Sequence, residues 1–307
     1  MTPLAVVILT HADPVHFARL VAALEDTPIV AHCDARTPDD TFRRMAAVAE
    51  GRVRLAGRRR TALASWSLVQ AELDGLREAL HWTNARHIAV LSGADYPLVG
   101  MAELIGELDG WAGRSWICST PLPHADWSIP RHPDGGLWRL RYRYLTRNDQ
   151  VVFWRSYPLR WPVPRQIPVE LTLRAASQWK IYCREDATAL LLVAEQRPDL
   201  MRFWRTTLVP DECFAASILA SRRLVGERGL PQQHAGAWYI DWNNNNTGHP
   251  RWLTGSDFDR LHAARWATPV RPDDPTEADE VHRKLFARKF RSADAAVLDR
   301  IDKELRG

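Results

Sequence analysis

The chain opens on an unbroken apolar run, Leu4-Ala5-Val6-Val7-Ile8-Leu9. A run of that length without polar alternation fits a strand covered on both faces of a parallel sheet. It ends at Thr10-His11-Ala12-Asp13-Pro14, and apolar positions at helical spacing follow from about Val15 to Leu24. Pro28 to Cys33 reads as a second strand ending at Asp34, a helix runs from about Thr41 to Ala49, and Val53-Arg54-Leu55 reads as a third strand. Ser65 to His81 predicts a long helix with Leu68, Val69, Leu73, Leu76 and Leu80 on its apolar side. His87 to Leu91 is a fourth strand, ending at Ser92-Gly93-Ala94-Asp95-Tyr96-Pro97. Such βαβ alternation predicts an α/β fold with a mainly parallel central sheet and helices on both faces. Ligands of these sheets sit beyond the carboxyl ends of the strands, which puts His11, Asp34 and Asp95 at the informative edge.

From about Leu122 to Arg174 the alternation stops, and Pro, Trp and Arg dominate. The segment reads as an irregular excursion over the sheet, with one strand-like stretch from Trp138 to Tyr144. Regular patterns resume with a strand at Trp179–Tyr182 and helices at Asp186–Glu195 and Glu212–Ser221. A strand at Trp238–Trp242 precedes the polar run Asn243–Asn246, and a last helix covers about Ala293 to Leu305. Neither an internal repeat nor a linker interrupts the chain, so residues 1–307 are expected to form one domain.

Charge and cysteine usage narrow the function classes. With 41 basic and 37 acidic side chains the chain carries +4, an excess held mostly by arginine. That suits an anionic small molecule. No long Lys/Arg tract occurs, and Arg58-Arg59-Arg60 reads as a solvated loop, so nucleic acid is not expected as a partner. Four dispersed cysteines (Cys33, Cys118, Cys183, Cys213) lack any CxxC or metal spacing and read as reduced thiols of a cytoplasmic protein. No basic leader precedes the first strand, and no segment approaches the roughly 20 apolar residues of a membrane helix, so membrane insertion is not expected. Glycine-rich dinucleotide and P-loop signatures, the serine nucleophile elbow and the zinc HExxH are all missing. Asp257-Phe258-Asp259 has the form of a metal-holding pair but lies far from the strand ends, and Asn245-Asn246-Thr247 matches a glycosylation sequon. Most of the 14 tryptophans are expected in the core, although an exposed indole face can carry a sugar.

Two segments have the chemistry of group transfer. Pro210-Asp211-Glu212 opens an apolar helix; Asp211 is placed to cap it, and the helix dipole would hold Glu212 ionised as a proton acceptor. Leu285-Phe286-Ala287-Arg288-Lys289-Phe290 sets two cations among apolar neighbours, a clamp for a dianion. Together they suggest an enzyme that deprotonates a hydroxyl while stabilising a departing phosphate.

Eight segments in this order give a family likeness. They are His32-Cys33-Asp34, Ala64 to Val69, Leu91 to Leu98, Ser177-Gln178-Trp179, Pro210-Asp211-Glu212, Tyr239 to Trp242, His249-Pro250-Arg251 and Leu285 to Phe290. Through them the chain resembles the Core-2/I-branching β-1,6-N-acetylglucosaminyltransferases and the related peptide O-xylosyltransferases. The resemblance implies a GT-A-type fold and inverting transfer from a UDP-sugar, N-acetylglucosamine first and xylose second, without a metal cofactor. It implies that Asp34 contacts uridine, Glu212 is the base, Arg251 and Lys289 replace the metal on the diphosphate, and Trp242 is an acceptor platform. About 1–120 would then be the nucleotide-sugar half and about 121–307 the acceptor-binding and catalytic half. Trp179 and the amides of Asn243–Asn246 are expected beside Trp242, and Asp95 either shapes its turn or touches the acceptor. A glycan, a peptide hydroxyl or a small metabolite would each serve as acceptor. The family's donor-side aromatic is Leu63 here, which favours the alternative of a non-catalytic nucleotide- or sugar-binding protein that keeps the fold. The anchor, stem and disulfides of animal members have no counterpart, so a bare bacterial catalytic domain is expected.

Overall fold

A computed structural model describes residues 3–48, 51, 53–228, 230, 235–242, 249–272 and 282–307. The amide run Asn243–Asn246 and the sequon lie outside the described residues.

Strands β1 (Leu4–Thr10), β2 (Ile29–Cys33), β3 (Val53–Leu55) and β4 (His87–Ser92) form a parallel sheet in the order β3-β2-β1-β4. Its helices are α1 (Pro14–Ala23), α2 (Asp39–Val48) and α3 (Trp66–Trp82). The apolar run of β1 divides between two cores. Leu4, Val6 and Ile8 pack with Phe17 and Leu20 of α1, whereas Val7 and Leu9 pack with Val69, Leu73 and Leu76 of α3. Helix α3 approaches β1 closely at Gly75, where a Cβ would stand 2.4 Å from Val7 Cγ1. The strand order reverses between β1 and β4, and a crevice at their carboxyl ends is the topological consequence.

After β4 come β5 (Asp95–Pro97), α4 (Met101–Asp109) and β6 (Ser119–Pro121). The excursion that follows contains α5 (Trp138–Arg141) and two tight hairpins, β7 (Thr146–Arg147) with β8 (Gln150–Val151) and β9 (Phe153–Trp154) with β10 (Tyr157–Pro158). The strand expected at Trp138–Tyr144 is therefore a helical turn and an irregular exit. The helical turn ends at Arg141, and Leu140 is buried with the α3-side core, whereas Tyr144 follows in extended backbone, bridges Arg160 and packs with Val151 and Leu208. Beyond it, β11 (Arg174–Ala176) pairs with β6, and β12 (Lys180–Cys183) adds an antiparallel edge to β4.

Helices α6 (Arg184–Gln196), α7 (Pro198–Trp204) and α8 (Phe214–Ala220) cover the α3 face, followed by the short α9 (Arg222–Val225). A second sheet joins β13 (Trp238–Ile240) in parallel to β14 (Phe286–Arg288), which pairs antiparallel with β5. Helices α10 (Phe258–Trp266) and α11 (Ala295–Glu304) close the α1 face. Phe258, Leu285, Phe286, Leu298 and Ile301 share one core with Val6 and Ile8. The boundary near residue 120 is thus one of chain order, while the cores run through both halves.

Candidate active site

A cleft of about 740 Å³ opens where the segment between β11 and β12 meets β13 and the turn before α8. Glu212 lines it. Its residue closes a 3-10 turn, Pro210–Glu212, and α8 starts only at Phe214. The expected position in the first α-helical turn is therefore replaced by a different electrostatic partner. Arg139 of α5 donates from Nη1 to Glu212 Oε2 at 2.9 Å. The Arg139 guanidinium lies 4.4 Å from the Trp127 ring and 5.6 Å from the Trp138 ring, so two indoles fix its plane. A charge-assisted contact of this kind aims the carboxylate and is stronger than a neutral one.

Asp211 does not cap α8; the capping position is Cys213, without a side-chain bond to the helix. The 3-10 turn instead rotates Asp211 inward, where it is 5% exposed and its Oδ1 has no hydrogen-bond partner. Burial first, and then the neighbouring Glu212 charge, push its carboxyl up to about 7. Beneath it lies a buried ion pair. Lys180 Nζ donates to both oxygens of Glu72 at 3.0 and 3.1 Å, and Tyr182 Oη donates to Glu72 Oε1 at 2.5 Å. A carboxyl raised in the folded state contributes stability that is full below its unfolded value of about 3.9 and is lost as pH rises to the folded value. Asp211→Asn should accordingly flatten the dependence of melting temperature on pH between about 4 and 7. An unchanged slope in that variant would remove Asp211 as the titrating group.

Aromatic and cationic side chains line the same cleft. Trp242 is 58% exposed, Trp179 is half-buried, and both line the cleft with Trp238. The Arg288 guanidinium stacks 4.1 Å from the Trp179 ring, and Lys284 donates to the Gly236 carbonyl at 2.7 Å. Desolvation is the leading influence on both cations and lowers both pKa values. Asp95 lies behind these side chains and is fully buried. Its Oδ2 accepts from Ser92 N and from Trp238 Nε1, both at 3.0 Å, and Arg288 Nε stands 3.6 Å from Oδ1. Of the two roles expected for Asp95, the turn-shaping one fits this burial; acceptor contact does not, because no part of the side chain reaches the surface.

The expected donor residues lie outside the lining of this cleft. Asp34, at the end of β2, is 4% exposed. Its oxygens accept from Arg36 N, Nε and Nη2 and from Thr61 N and Oγ1. Despite its burial these bonds hold its carboxyl far below the ordinary range. Arg251 donates from Nε to Asp241 at 2.7 Å and from both terminal nitrogens to Asp257. Asp257 also accepts from Arg260 and from Thr254 N, so the first member of the Asp-x-Asp pair is engaged by cations. Lys289 rests 4.5 Å from the Trp252 ring, shared with Arg291 at 5.4 Å. No acidic side chain among the described residues forms an ion pair with it.

Folding thus brings Glu212, Trp179 and Trp242 to one cleft and leaves Asp34, Arg251 and Lys289 around it. Arg139, Arg288 and Lys284 were not singled out in the sequence as lining groups. Arg139 meets Glu212 across 73 positions of sequence, a separation no local pattern reports. Arg288 carried a signal, since it neighbours Lys289 in the cation-bearing hexamer and alternate residues of a strand face opposite sides.

Comparison with known proteins covers seven of the eight ordered segments and stops short of Leu285 to Phe290. The sequence model of the Core-2/I-branching enzyme family matches residues 4–262. No curated protein sequence matches the chain significantly. Among solved structures, S. aureus TarS 1–349 aligns with 9% identity and a TM-score of 0.29, over 67% of this chain and 55% of that one. Its complex with UDP-GlcNAc aligns with 9% identity and a TM-score of 0.31, over 67% and 53%. The chain therefore spans only about half the length of those proteins. With 259 consecutive positions matched by the family model, the chain belongs to the Core-2/I-branching enzyme family, a family of glycosyltransferases.

Proposed function

We propose that the protein is an inverting, metal-independent glycosyltransferase of GT-A type. It moves a sugar, N-acetylglucosamine first and xylose second, from a UDP-sugar to an acceptor hydroxyl. The observation that carries this reading is that the Glu212 carboxylate lines the same cleft as Trp242 and Trp179. An indole face takes the apolar side of a sugar ring, and a carboxylate in the same cleft takes the proton of the attacking hydroxyl. Arg139 keeps that carboxylate aimed. As the acceptor oxygen attacks C1, the bond to the diphosphate breaks on the opposite side, and negative charge grows on the leaving group.

Lys289 is proposed as the principal cation there, since it has no acidic partner among the described residues. Arg251 would join it by exchanging part of its contact with Asp241 or Asp257 for the diphosphate. Asp34 would meet the uridine by the same kind of exchange with Arg36 or Thr61. Leu63 is 62% exposed and lines the cleft, which offers a nucleotide or sugar an apolar contact in place of ring stacking. That residue also favours the second reading, a binding protein without turnover. Transfer of sugar, rather than binding alone, distinguishes the two.

Full transfer activity should survive excess EDTA. Lys289→Ala should weaken UDP by about 1.5–3 kcal/mol while leaving uridine, which lacks the charge, nearly unchanged. Strict dependence on Mn²⁺, abolished by changing Asp257 or Asp259, would overturn the metal-free mechanism. Trp242→Ala should raise the acceptor KM and leave UDP affinity intact. Collapse of UDP binding at constant acceptor KM would move Trp242 to the donor side.

A further inference from the structure

The excursion between β6 and β11 has a surface that the transfer chemistry does not use. Residues 138–165 contain seven arginines against a single acidic residue, Asp149, so this stretch is more positive than the whole chain at +4. Two of those arginines have internal roles. Arg139 holds Glu212, and Arg165 donates to Leu140 O, Phe203 O and the hydroxyls of Thr206 and Thr207. Arg143, Arg147 and Arg155 are exposed, and none has an acidic partner among the described residues.

Aromatic side chains lie in the same stretch. Phe153, Trp154, Tyr157 and Trp161 are 48%, 63%, 58% and 57% exposed. Phe153 and Trp154 are adjacent on a strand and so face opposite sides, yet both meet solvent. The β9–β10 hairpin is therefore a ribbon exposed on both faces, turned by Arg155 and Ser156 with φ of 46° and 68°, with Arg155 5.7 Å from the Trp154 ring and Arg131 5.5 Å from the Tyr157 ring. Its base is fixed. Leu145, Val152 and Leu159 exchange backbone hydrogen bonds, Ser65 Oγ accepts from Val151 N, and Tyr144 and Val151 are buried with Leu208. A held base below an exposed tip of Trp, Phe and Tyr, with arginines in the same stretch that have no acidic partner among the described residues, matches the amphipathic boundary of an anionic bilayer. Aromatic rings partition to the headgroup level there, and arginines meet lipid phosphates. Bases of a single strand would instead be expected to stack within a groove, and this ribbon projects.

We propose that the β9–β10 hairpin and the surrounding arginines dock the protein on an anionic phospholipid surface, without spanning it. No described helix is long and apolar enough to cross a membrane. The chemistry fixes the partner as a fluid layer with negative headgroups, whatever acceptor the cleft takes.

The test is co-sedimentation of the full chain with vesicles of phosphatidylcholine, with and without phosphatidylglycerol. Binding is expected only with phosphatidylglycerol and should weaken as salt rises. Arg143→Gln, Arg147→Gln and Arg155→Gln together should weaken it about 100-fold, roughly five-fold per charge near the surface. Phe153→Ser, Trp154→Ser and Tyr157→Ser together should abolish it with the melting temperature retained. Absence of binding to anionic vesicles would overturn the proposal. So would retention by both triple variants, tighter binding to a single-stranded oligonucleotide than to vesicles, or vesicle binding matched by concentration-dependent self-association that the aromatic triple variant removes.

Discussion

Glu212→Gln is expected to lower kcat by at least about 100-fold while the donor dissociation constant stays near its starting value. The amide keeps the size of the side chain, and its oxygen still accepts from Arg139, so the 2.9 Å contact has a neutral counterpart. What the amide cannot do is take the proton from the attacking hydroxyl. Removing general-base function typically costs about 10²–10⁴-fold, and no other change in the cleft should reproduce that pattern. Asp211 is the competing candidate, because a carboxyl brought near neutrality is well matched to proton transfer. It is only 5% exposed, whereas the Glu212 side chain is 31% exposed, and a hydroxyl can reach only the latter without rearrangement. Measuring kcat for Glu212→Gln and Asp211→Asn side by side decides between them. Near-normal turnover in the first with a large loss in the second would make Asp211 the base.

Lys180→Met should destabilise the fold by about 3–5 kcal/mol. Lys180 is 1% exposed, the Glu72 side chain is 4% exposed, and the ammonium donates to both carboxylate oxygens. Removing the cation leaves Glu72 with only the Tyr182 hydroxyl and withdraws the charge that favours the ionised form of Asp211. The cost comes from the stranded carboxylate more than from the lost attraction. Replacing both partners, Glu72→Met with Lys180→Met, should therefore cost less than Lys180→Met alone. Urea titration of the three proteins measures this directly. A double variant less stable than either single one would mean that the pair is a net stabiliser.

These two sites also show what the sequence could and could not report. The parallel core was legible because β1 is buried on both faces, which leaves no polar position in Leu4 to Leu9. Helix α3, observed at Trp66–Trp82, follows the predicted Ser65–His81 because its apolar stripe is long and uninterrupted. The excursion was misread at Trp138–Tyr144 because alternating arginines imitate a half-buried strand, while the structure winds only Trp138–Arg141 into a helical turn and buries Leu140 and Tyr144 in two different clusters. Glu212 stood out because it sits next to an apolar run, but its helix was placed two residues early. A 3-10 turn intervenes, and that turn sends Asp211 into the interior. Ion pairs were the least visible feature. Arg139–Glu212, Lys180–Glu72 and Arg288–Asp95 each join residues far apart in sequence, and each pairs side chains from two different elements.

The central claim about the donor, a UDP-sugar site that works without a metal, is tested most directly by ligand-induced stabilisation in excess EDTA. A ligand that binds only the native state raises stability, by about 2.7 kcal/mol at a hundred times its dissociation constant. Wild-type protein should melt at a higher temperature with UDP, UDP-N-acetylglucosamine or UDP-xylose, and Lys289→Ala should lose most of that shift. Uridine, GDP and ADP should shift it little in either protein. No response to any UDP compound, or a response that appears only when Mn²⁺ is added, would contradict the account.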